Sequence, residues 1–425
     1  MITPAEQSNP AAKGGLFTTV DGKNLFLTFA LVTTLFLLWG FCNGMIDILN
    51  KQFQDSLQNN KAQSGLVQSA NYIAYFLMAI PAGLLARKFG YKGGILIGLV
   101  LIVLGAFWFI PATHIGTYGA FLTGVFVVAS GMTCLETIAN PYTTLLGAPE
   151  SGATRINIAQ TFNGVGWILG PVVGGYFVFS GGKGGNANAG LYLPYLGVGL
   201  VVVVLIVIFA FARVPDLQAE DEVKVEAGGV GGRSLWTRSH FTFGVAAQFL
   251  YVAAQAGIFS FVVNYVLEND PGVTKLQASA WLGIFGFGLF MFGRLCGSAV
   301  ISLTKPHRVL AVYAMINVLL SAVVMGGGKL GLYALFGTFF FMSVMFPTIF
   351  ALGIRGLGDH TKFGSSLIVM SIVGGAIAPP FMGHIADISS MRLSFVVPLV
   401  CFVFVALYGA VWQKLDSRDR TTMPA

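Results

Sequence analysis

Residues 118–146 read YGAFLTGVFVVASGMTCLETIANPYTTLL, a stretch in which Glu136 is the one charged side chain. At about 1.5 Å per residue, a helix of that length crosses the roughly 30 Å hydrocarbon core of a bilayer. A carboxylate inside such a helix costs about 2.5–3.5 kcal/mol to insert, so it faces a bundle interior or an aqueous cavity and marks a functional position. Asp47 repeats the anomaly near the end of another apolar run, Leu25 to Leu49. Two buried acids in one polytopic chain suggest a pathway coupled to protonation.

The remaining sequence has the same character. Hydrophobic residues make up 55% of the chain and charged residues 10%, against about 25% charged in globular proteins. The expectation is an all-α membrane protein. Apolar runs bounded by Gly, Pro and charge clusters give twelve spans, at 25–54, 63–86, 93–111, 118–146, 154–180, 190–212, 240–267, 276–303, 308–327, 331–354, 363–387 and 393–413. The run at Leu25 is too long for a signal peptide and lacks a small-residue cleavage pattern, so it is read as the first span. Cys42, Cys134, Cys296 and Cys401 all lie in apolar runs and read as small buried hydrophobes. No disulfide framework, metal-ligand spacing or cofactor motif accompanies them. The net charge of +7 comes from basic residues scattered among loops, with no soluble module to read nucleic acid. With both termini placed in the cytoplasm, 17 of the 24 Lys and Arg fall on that face, six fall outside and Arg294 lies within a span. That asymmetry is the positive-inside pattern of a multi-pass protein of a bacterial inner membrane.

The longest polar interruption, Val214 to Ser239, follows span six and mixes acids and bases with a Gly-rich patch at Gly228 to Gly232. It reads as a cytoplasmic linker, residues 214–239, between six-span bundles at 25–213 and 240–413, with cytoplasmic tails at 1–24 and 414–425. An internal repeat supports the division. Asn140-Pro141 and Phe346-Pro347 recur about 206 positions apart, each followed by Leu-Gly. In the next spans Arg155, Gly166, Pro171 and Gly175 correspond to Lys362, Gly374, Pro379 and Gly383. A parallel six-plus-six duplication is the arrangement of the major facilitator fold, with substrate near the midplane between halves. Glu136 falls opposite Met342 and Asp47 opposite Ser260, which puts proton chemistry in the first half.

Several spans carry polar faces. Asn43, Asp47, Asn50 and Gln54 recur at i, i+4, i+7 and i+11 as one stripe. Thr133, Glu136 and Asn140 share a face of span four, and span five offers Gln160 and Asn163 one turn apart, with Trp167 a turn further. Amides and carboxylates suit hydroxyl-rich ligands, and aromatics cover a sugar's apolar face. Hydrogen bonding between helices is the competing reading for Gln160 and Asn163. Weaker faces come from Gln68, Asn71 and Tyr75, and from Gln248, Tyr251 and Gln255. Arg294 precedes Lys305 by 11 residues, which places it about 16 Å into the membrane, where it needs a partner or a cavity unless it snorkels.

At the connection between spans two and three, Gly83, Lys88, Gly90 and Lys92 resemble the major facilitator loop motif, with Arg87 where that motif has an acid. A more specific resemblance rests on Asp47-Ile48-Leu49 with Gln52-Phe53-Gln54, on Leu135-Glu136-Thr137 with Ala139-Asn140-Pro141, and on Ala159-Gln160-Thr161-Phe162-Asn163. Pro347-Thr348-Ile349-Phe350, Leu352-Gly353 and Gly364-Ser365-Ser366 to Ile368-Val369-Met370 extend it. The chain is similar over nearly its whole length to the fucose:proton symporter family of the major facilitator superfamily, which includes glucose/galactose and N-acetylglucosamine members. The resemblance implies sugar uptake coupled to protons, with Asp47 and Glu136 as protonation sites. It also implies that Gln160 and Asn163 contact sugar and that Phe290 is an aromatic of the cavity. Phe346 stands where the fucose member is expected to carry a tyrosine, which puts fucose itself in question.

The expected function is therefore secondary transport of a monosaccharide of the fucose, glucose, galactose, mannose or N-acetylglucosamine class, with the proton as coupling ion, by a monomer in the lipid bilayer. Asn43, Asn140, Gln255 and Arg294 join Gln160, Asn163 and Phe290 as candidate substrate contacts. A sodium-coupled carrier using the same acids as oxygen ligands and a nontransporting sugar sensor are the alternatives. A membrane enzyme is disfavoured, because H-E-x-x-H and G-x-S-x-G arrangements are lacking.

Overall fold

The computed structural model describes residues 15–19, 22–148, 151–180, 189–212, 214–215, 235–357 and 361–421. Most of the linker expected at 214–239 and of the tail at 1–24, and residues 422–425, lie outside the described residues. Eleven helical stretches are long and apolar enough to cross a membrane. One of them, Lys61–Ile115, has 55 residues and, if straight, would span about 80 Å, more than twice a bilayer's core. It is not straight. Gly90 has φ 71° and ψ 176°, a conformation that favours glycine, and a Cβ placed on Gly94 would lie 3.5 Å from the Ala86 Cα. Those residues would stand about 12 Å apart along a continuous helix. The chain therefore reverses at Gly90, and the described residues make the twelve crossings that the apolar runs predict.

We number the crossings α1 (Phe26–Leu57), α2 (66–89), α3 (91–115), α4 (Tyr118–Leu145), α5 (Gly152–Ser180), α6 (Ala189–Phe211), α7 (Ser239–Asn269), α8 (275–303), α9 (Pro306–Gly326), α10 (328–354), α11 (361–388) and α12 (391–421). Two buried cores form. One draws on α1 to α6, around Phe36, Phe53, Phe109 and Phe121, and the other on α7 to α12, around Tyr251, Phe259, Phe339 and Phe402. The helices of the second half are the interrupted ones. A π-helical stretch, Leu282–Phe287, lies within α8, α10 breaks between Met342 and Met345, and α11 contains a 3-10 turn at Ser371–Val373. Such irregular turns mark hinges and functional positions.

Glycine sets the closest packing in the first half. A Cβ on Gly170 of α5 would fall 2.6 Å from the Phe41 carbonyl oxygen and 2.9 Å from the Gly44 Cα of α1. Facing it, a Cβ on Gly44 would fall 2.9 Å from the Trp167 carbonyl oxygen. The two helices thus touch backbone to backbone, the small-residue packing of membrane bundles.

Two charged residues read as surface topology signals have structural work instead. Arg155 is fully buried and donates to the carbonyls of Thr143 (3.1 Å), Thr144, Ala148 (3.1 Å) and Leu16 (2.8 Å). It thereby caps the C-terminal end of α4, where carbonyls lack intrahelical partners. Lys92 donates to the Ala210 and Ala212 carbonyls at the end of α6, both at 2.9 Å, so the loop-motif lysine ties α3 to α6. The helix of the last span runs past Gln413 to Thr421, and its Asp419 accepts from the backbone N–H of Ser239 (3.1 Å) and His240 (2.9 Å) at the start of α7.

The hydrogen bonds and ion pairs that join the two halves between described residues cluster at the end opposite the termini. Asn50 donates to the Ser260 carbonyl (2.9 Å), Asn264 donates to Gln54 (2.7 Å), and Lys61 pairs with Glu268 (2.6 Å). The halves are closed there.

Candidate functional site

The polar stripe of α1 does not line a single surface. Its lower part stays within the first half: Asn43 donates to the Trp39 carbonyl (3.0 Å) and to the Tyr75 hydroxyl (3.4 Å), which also accepts from the Trp39 indole (2.7 Å). Asp47 is 3% exposed and accepts from Gln68 of α2 at 2.6 Å, while its second oxygen has no partner among the described residues. The upper part, Asn50 and Gln54, bridges to α7 of the other half.

Glu136 lies in a narrow crevice with Leu35, Phe36, Trp39, Leu135 and Ala139. It has no hydrogen-bond or ion-pair partner among the described residues. An intramembrane carboxyl in apolar surroundings, without a cation beside it, is an acid suited to carrying a proton rather than to holding a fixed charge. Two tyrosines of α2 stand near the acids. Tyr72 lies within electrostatic reach of Asp47, Glu136 and Tyr251, and Tyr75 within reach of Glu136. Tyr72 also packs among the core residues of the second half, against Gly375 of α11.

In α5, Gln160 donates to the side-chain amide oxygen (Oδ1) of Asn140 of α4 at 3.1 Å, so two sequence-predicted residues meet, and both remain half-buried. Asn163 is 5% exposed and donates to the Phe36 carbonyl of α1 at 3.1 Å. Its amide thus makes the interhelical bond that competes with a sugar-binding role. Trp167 crosses into the aromatic cluster of the other half, 4.8 Å from Phe287 and 6.0 Å from Phe259 between ring centroids.

On the second half, Arg294 stacks on Phe290, 5.1 Å from guanidinium carbon to ring centroid, and donates to the Ser343 carbonyl at 3.3 Å. That carbonyl is available because the residue four positions on is Pro347, which has no N–H to offer it. Arg294 also lies within electrostatic reach of Tyr251, which donates to the Met342 carbonyl at 2.9 Å. The arginine is therefore held inward by an aromatic face and a freed carbonyl, without an ion pair among the described residues. Gln255 is half-buried one turn from Phe259. The resulting series, Glu136 and Asp47, Tyr72, Tyr251, Arg294 with Phe290, runs from acid to cation across the line between the halves. The sequence reading missed Tyr72, although Gln68, Tyr72 and Tyr75 repeat at i, i+4 and i+7.

A separate cavity of about 460 Å³ opens between α1, α5 and α6, but its lining, including Leu37, Phe41, Leu169, Phe177 and Val201, is apolar and holds none of these residues. A sugar presents several hydroxyls, and that crevice lacks the donors and acceptors they need.

The model of the Major Facilitator Superfamily matches residues 27–372. The chain belongs to the major facilitator superfamily. Among the similar proteins, the L-fucose-proton symporter of Escherichia coli (strain K12) is 37% identical to this facilitator over 411 residues, covering 92% of this chain and 94% of that one. The glucose/galactose transporter of Brucella abortus is 36% identical over 403 residues, with 93% and 96% covered. The crystal structure of the E. coli fucose:proton symporter in the outward conformation covers 91% of this chain and 99% of that one at 37% identity, with a TM-score of 0.66. A bacterial homologue of the lysosomal transporter Spinster, in an inward-facing conformation, shares the fold at 16% identity and a TM-score of 0.75, covering 94% and 99%.

Proposed function

We propose that this facilitator imports a hexose-type sugar together with protons by alternating access between its two six-helix halves, residues 25–213 and 240–413. The observation that carries the reading is Asp47: a buried carboxyl with one oxygen held by Gln68 and the other unpartnered among the described residues, in a chain 37% identical over nearly its full length to a proton symporter. Glu136, equally without a cation, is the second protonation site. Sugar binds between the halves, with the Gln160–Asn140 pair, Asn43, Asn163 and Gln255 supplying hydrogen bonds and Phe290 and Arg294 lining the far side. Asn163 turns from its Phe36 bond to reach sugar. Loss of the proton charge problem, by neutralising a buried acid, permits the loaded carrier to reorient.

The excess of basic residues on the face bearing both termini supports a cytoplasmic placement of that face in a bacterial inner membrane. The closed end is then the outside, and the conformation is inward-facing. The working unit is one chain. Phe346, close to Tyr251 with 6.4 Å between ring centroids, offers no hydroxyl to a ligand, which favours glucose- or galactose-like substrates over fucose.

The test is uptake of labelled hexose into proteoliposomes with an imposed pH difference, followed by competition with unlabelled fucose, glucose, galactose, mannose and N-acetylglucosamine. Accumulation driven by an acid exterior, independent of sodium, is the expected result. Accumulation that follows a sodium gradient at equal pH would assign the acids to a cation site instead, and binding without uptake would make the protein a sensor.

A further inference from the structure

The closed end is held by groups that touch neither acid. Asp387, at the end of α11, accepts from two successive backbone N–H groups, Lys61 at 3.0 Å and Ala62 at 2.9 Å. The Lys61 side chain continues to Glu268 of α7 at 2.6 Å, so residue 61 grips the second half through both backbone and side chain. Asp55 of α1 is shared between Lys51, at 3.0 Å, and Lys275 at the start of α8. Beneath this rim lies a drier layer centred on Gln54. Its amide donates to Asn50 (3.2 Å) and Ser64 (2.9 Å) and accepts from Asn264 (2.7 Å), while Asn50 donates to the Ser260 carbonyl (2.9 Å). Asn50, Ser64, Ser260 and Asn264 are all buried. The backbones close in as well, since a Cβ on Gly65 would lie 2.6 Å from the Pro380 nitrogen.

We propose that Asp387 with the Lys61–Ala62 backbone, and the Gln54 layer beneath it, form an external latch whose strength sets the balance between the two access states. The inference rests on the orientation proposed above. Each of these bonds joins the first half to the second or orders a group that does, so opening the outside must break them. A contact present in one of two states biases the equilibrium by its full free energy. The rim ion pairs are partly exposed, with Lys275 at 45%, and exposed pairs count for little. The carboxylate on paired backbone donors and the buried amides are the stronger elements, because charged acceptors strengthen a hydrogen bond and buried amides left unpaired are costly. These are positioning residues: they shift the state populations and leave the sugar and proton sites alone.

The experiment uses the full chain in proteoliposomes with Ser260→Cys as reporter, since that position is buried under the latch and the native chain provides the background from its own four cysteines. A membrane-impermeant maleimide is added outside. Asp387→Asn and Gln54→Ala should each accelerate labelling by roughly three- to tenfold, the effect of one such bond on a two-state balance. Sugar counterflow should change in maximal rate more than in KM. A paired swap, Lys61→Glu with Glu268→Lys, should return labelling toward the parent rate where Lys61→Glu alone accelerates it. Unchanged labelling in both Asp387→Asn and Gln54→Ala, in protein that elutes as the parent does, would overturn the latch. Acceleration seen only with the reagent inside would uphold the latch and overturn the orientation.

Discussion

Replacing Gly170 by Ala tests how far the sugar site depends on the backbone seam between α1 and α5. The added Cβ would sit 2.6 Å from the Phe41 carbonyl oxygen, whereas ordinary contact begins at 3.4 Å, so the helices must part by about 0.8 Å. Both obstacles, the Phe41 carbonyl and the Gly44 Cα, are backbone, and no side-chain rotation relieves them. Overpacking of this kind typically costs about 1–3 kcal/mol. Against it stands the gain of about 1 kcal/mol from alanine's better helix propensity. The clash outweighs that gain over most of its range, and a net loss of up to about 2 kcal/mol, centred on about 1 kcal/mol, is expected. Gly197 of α6 supplies the control, because nothing among the described residues lies within 4 Å of its Cβ position; there Ala should be neutral or stabilising. Thermal unfolding in detergent, followed by a thiol-reactive dye that reads the buried Cys42, Cys134 and Cys401, compares the two. Because Asn163 and Trp167 ride on the same helix, Gly170→Ala should also weaken sugar binding by roughly tenfold, in keeping with the cost of displacing positioned groups by about 1 Å. Gly170→Ala melting at or above the parent temperature, level with Gly197→Ala, would refute the tight seam.

Three further outcomes are expected. Glu136→Gln imitates the protonated acid, so it should keep sugar-for-sugar counterflow yet fail to accumulate sugar against its gradient when a pH difference is imposed; full proton-driven accumulation would remove Glu136 from coupling. Arg294→Lys keeps a charge but loses the planar face stacked on Phe290, and uptake should fall severalfold with normal membrane insertion, as measured by initial rates at equal protein density. At the end that bears the termini, burial opposes the Asp419 charge, but hydrogen bonds from His240 and Ser239 outweigh it and hold the carboxyl below its ordinary 3.8. A depressed carboxyl stabilises the fold above its unfolded value and loses that contribution as pH falls through the folded one. Protection of the Ser239 and His240 amides, read as exchange relative to the intrinsic rate at each pH, should therefore be high near neutrality and fall in acid below about pH 3.8, and Asp419→Asn should lower it throughout.

Hydropathy determined the twelve crossings and the two intramembrane acids, because a bilayer demands an apolar run for every crossing and penalises each charge it contains, while the polar linker and the internal repeat pointed to two halves. The sequence also determined the turn between α2 and α3, since Gly90 adopts a backbone conformation that other residues avoid. Tertiary structure decided which way each polar face points. The α1 stripe looks like one surface on a helical wheel, yet Asn43 and Asp47 turn to α2 while Asn50 and Gln54 cross to α7, because α1 meets different neighbours along its length. Asn163 reads as a ligand contact by spacing, but the glycine seam brings the Phe36 carbonyl to its amide. Arg155 counts as a surface charge in any topology rule, and it is buried because the end of α4 presents carbonyls that need a donor. The latch at Asp387 was beyond reach of local reading, since Lys61 and Asp387 are joined only when the second half folds back against the first.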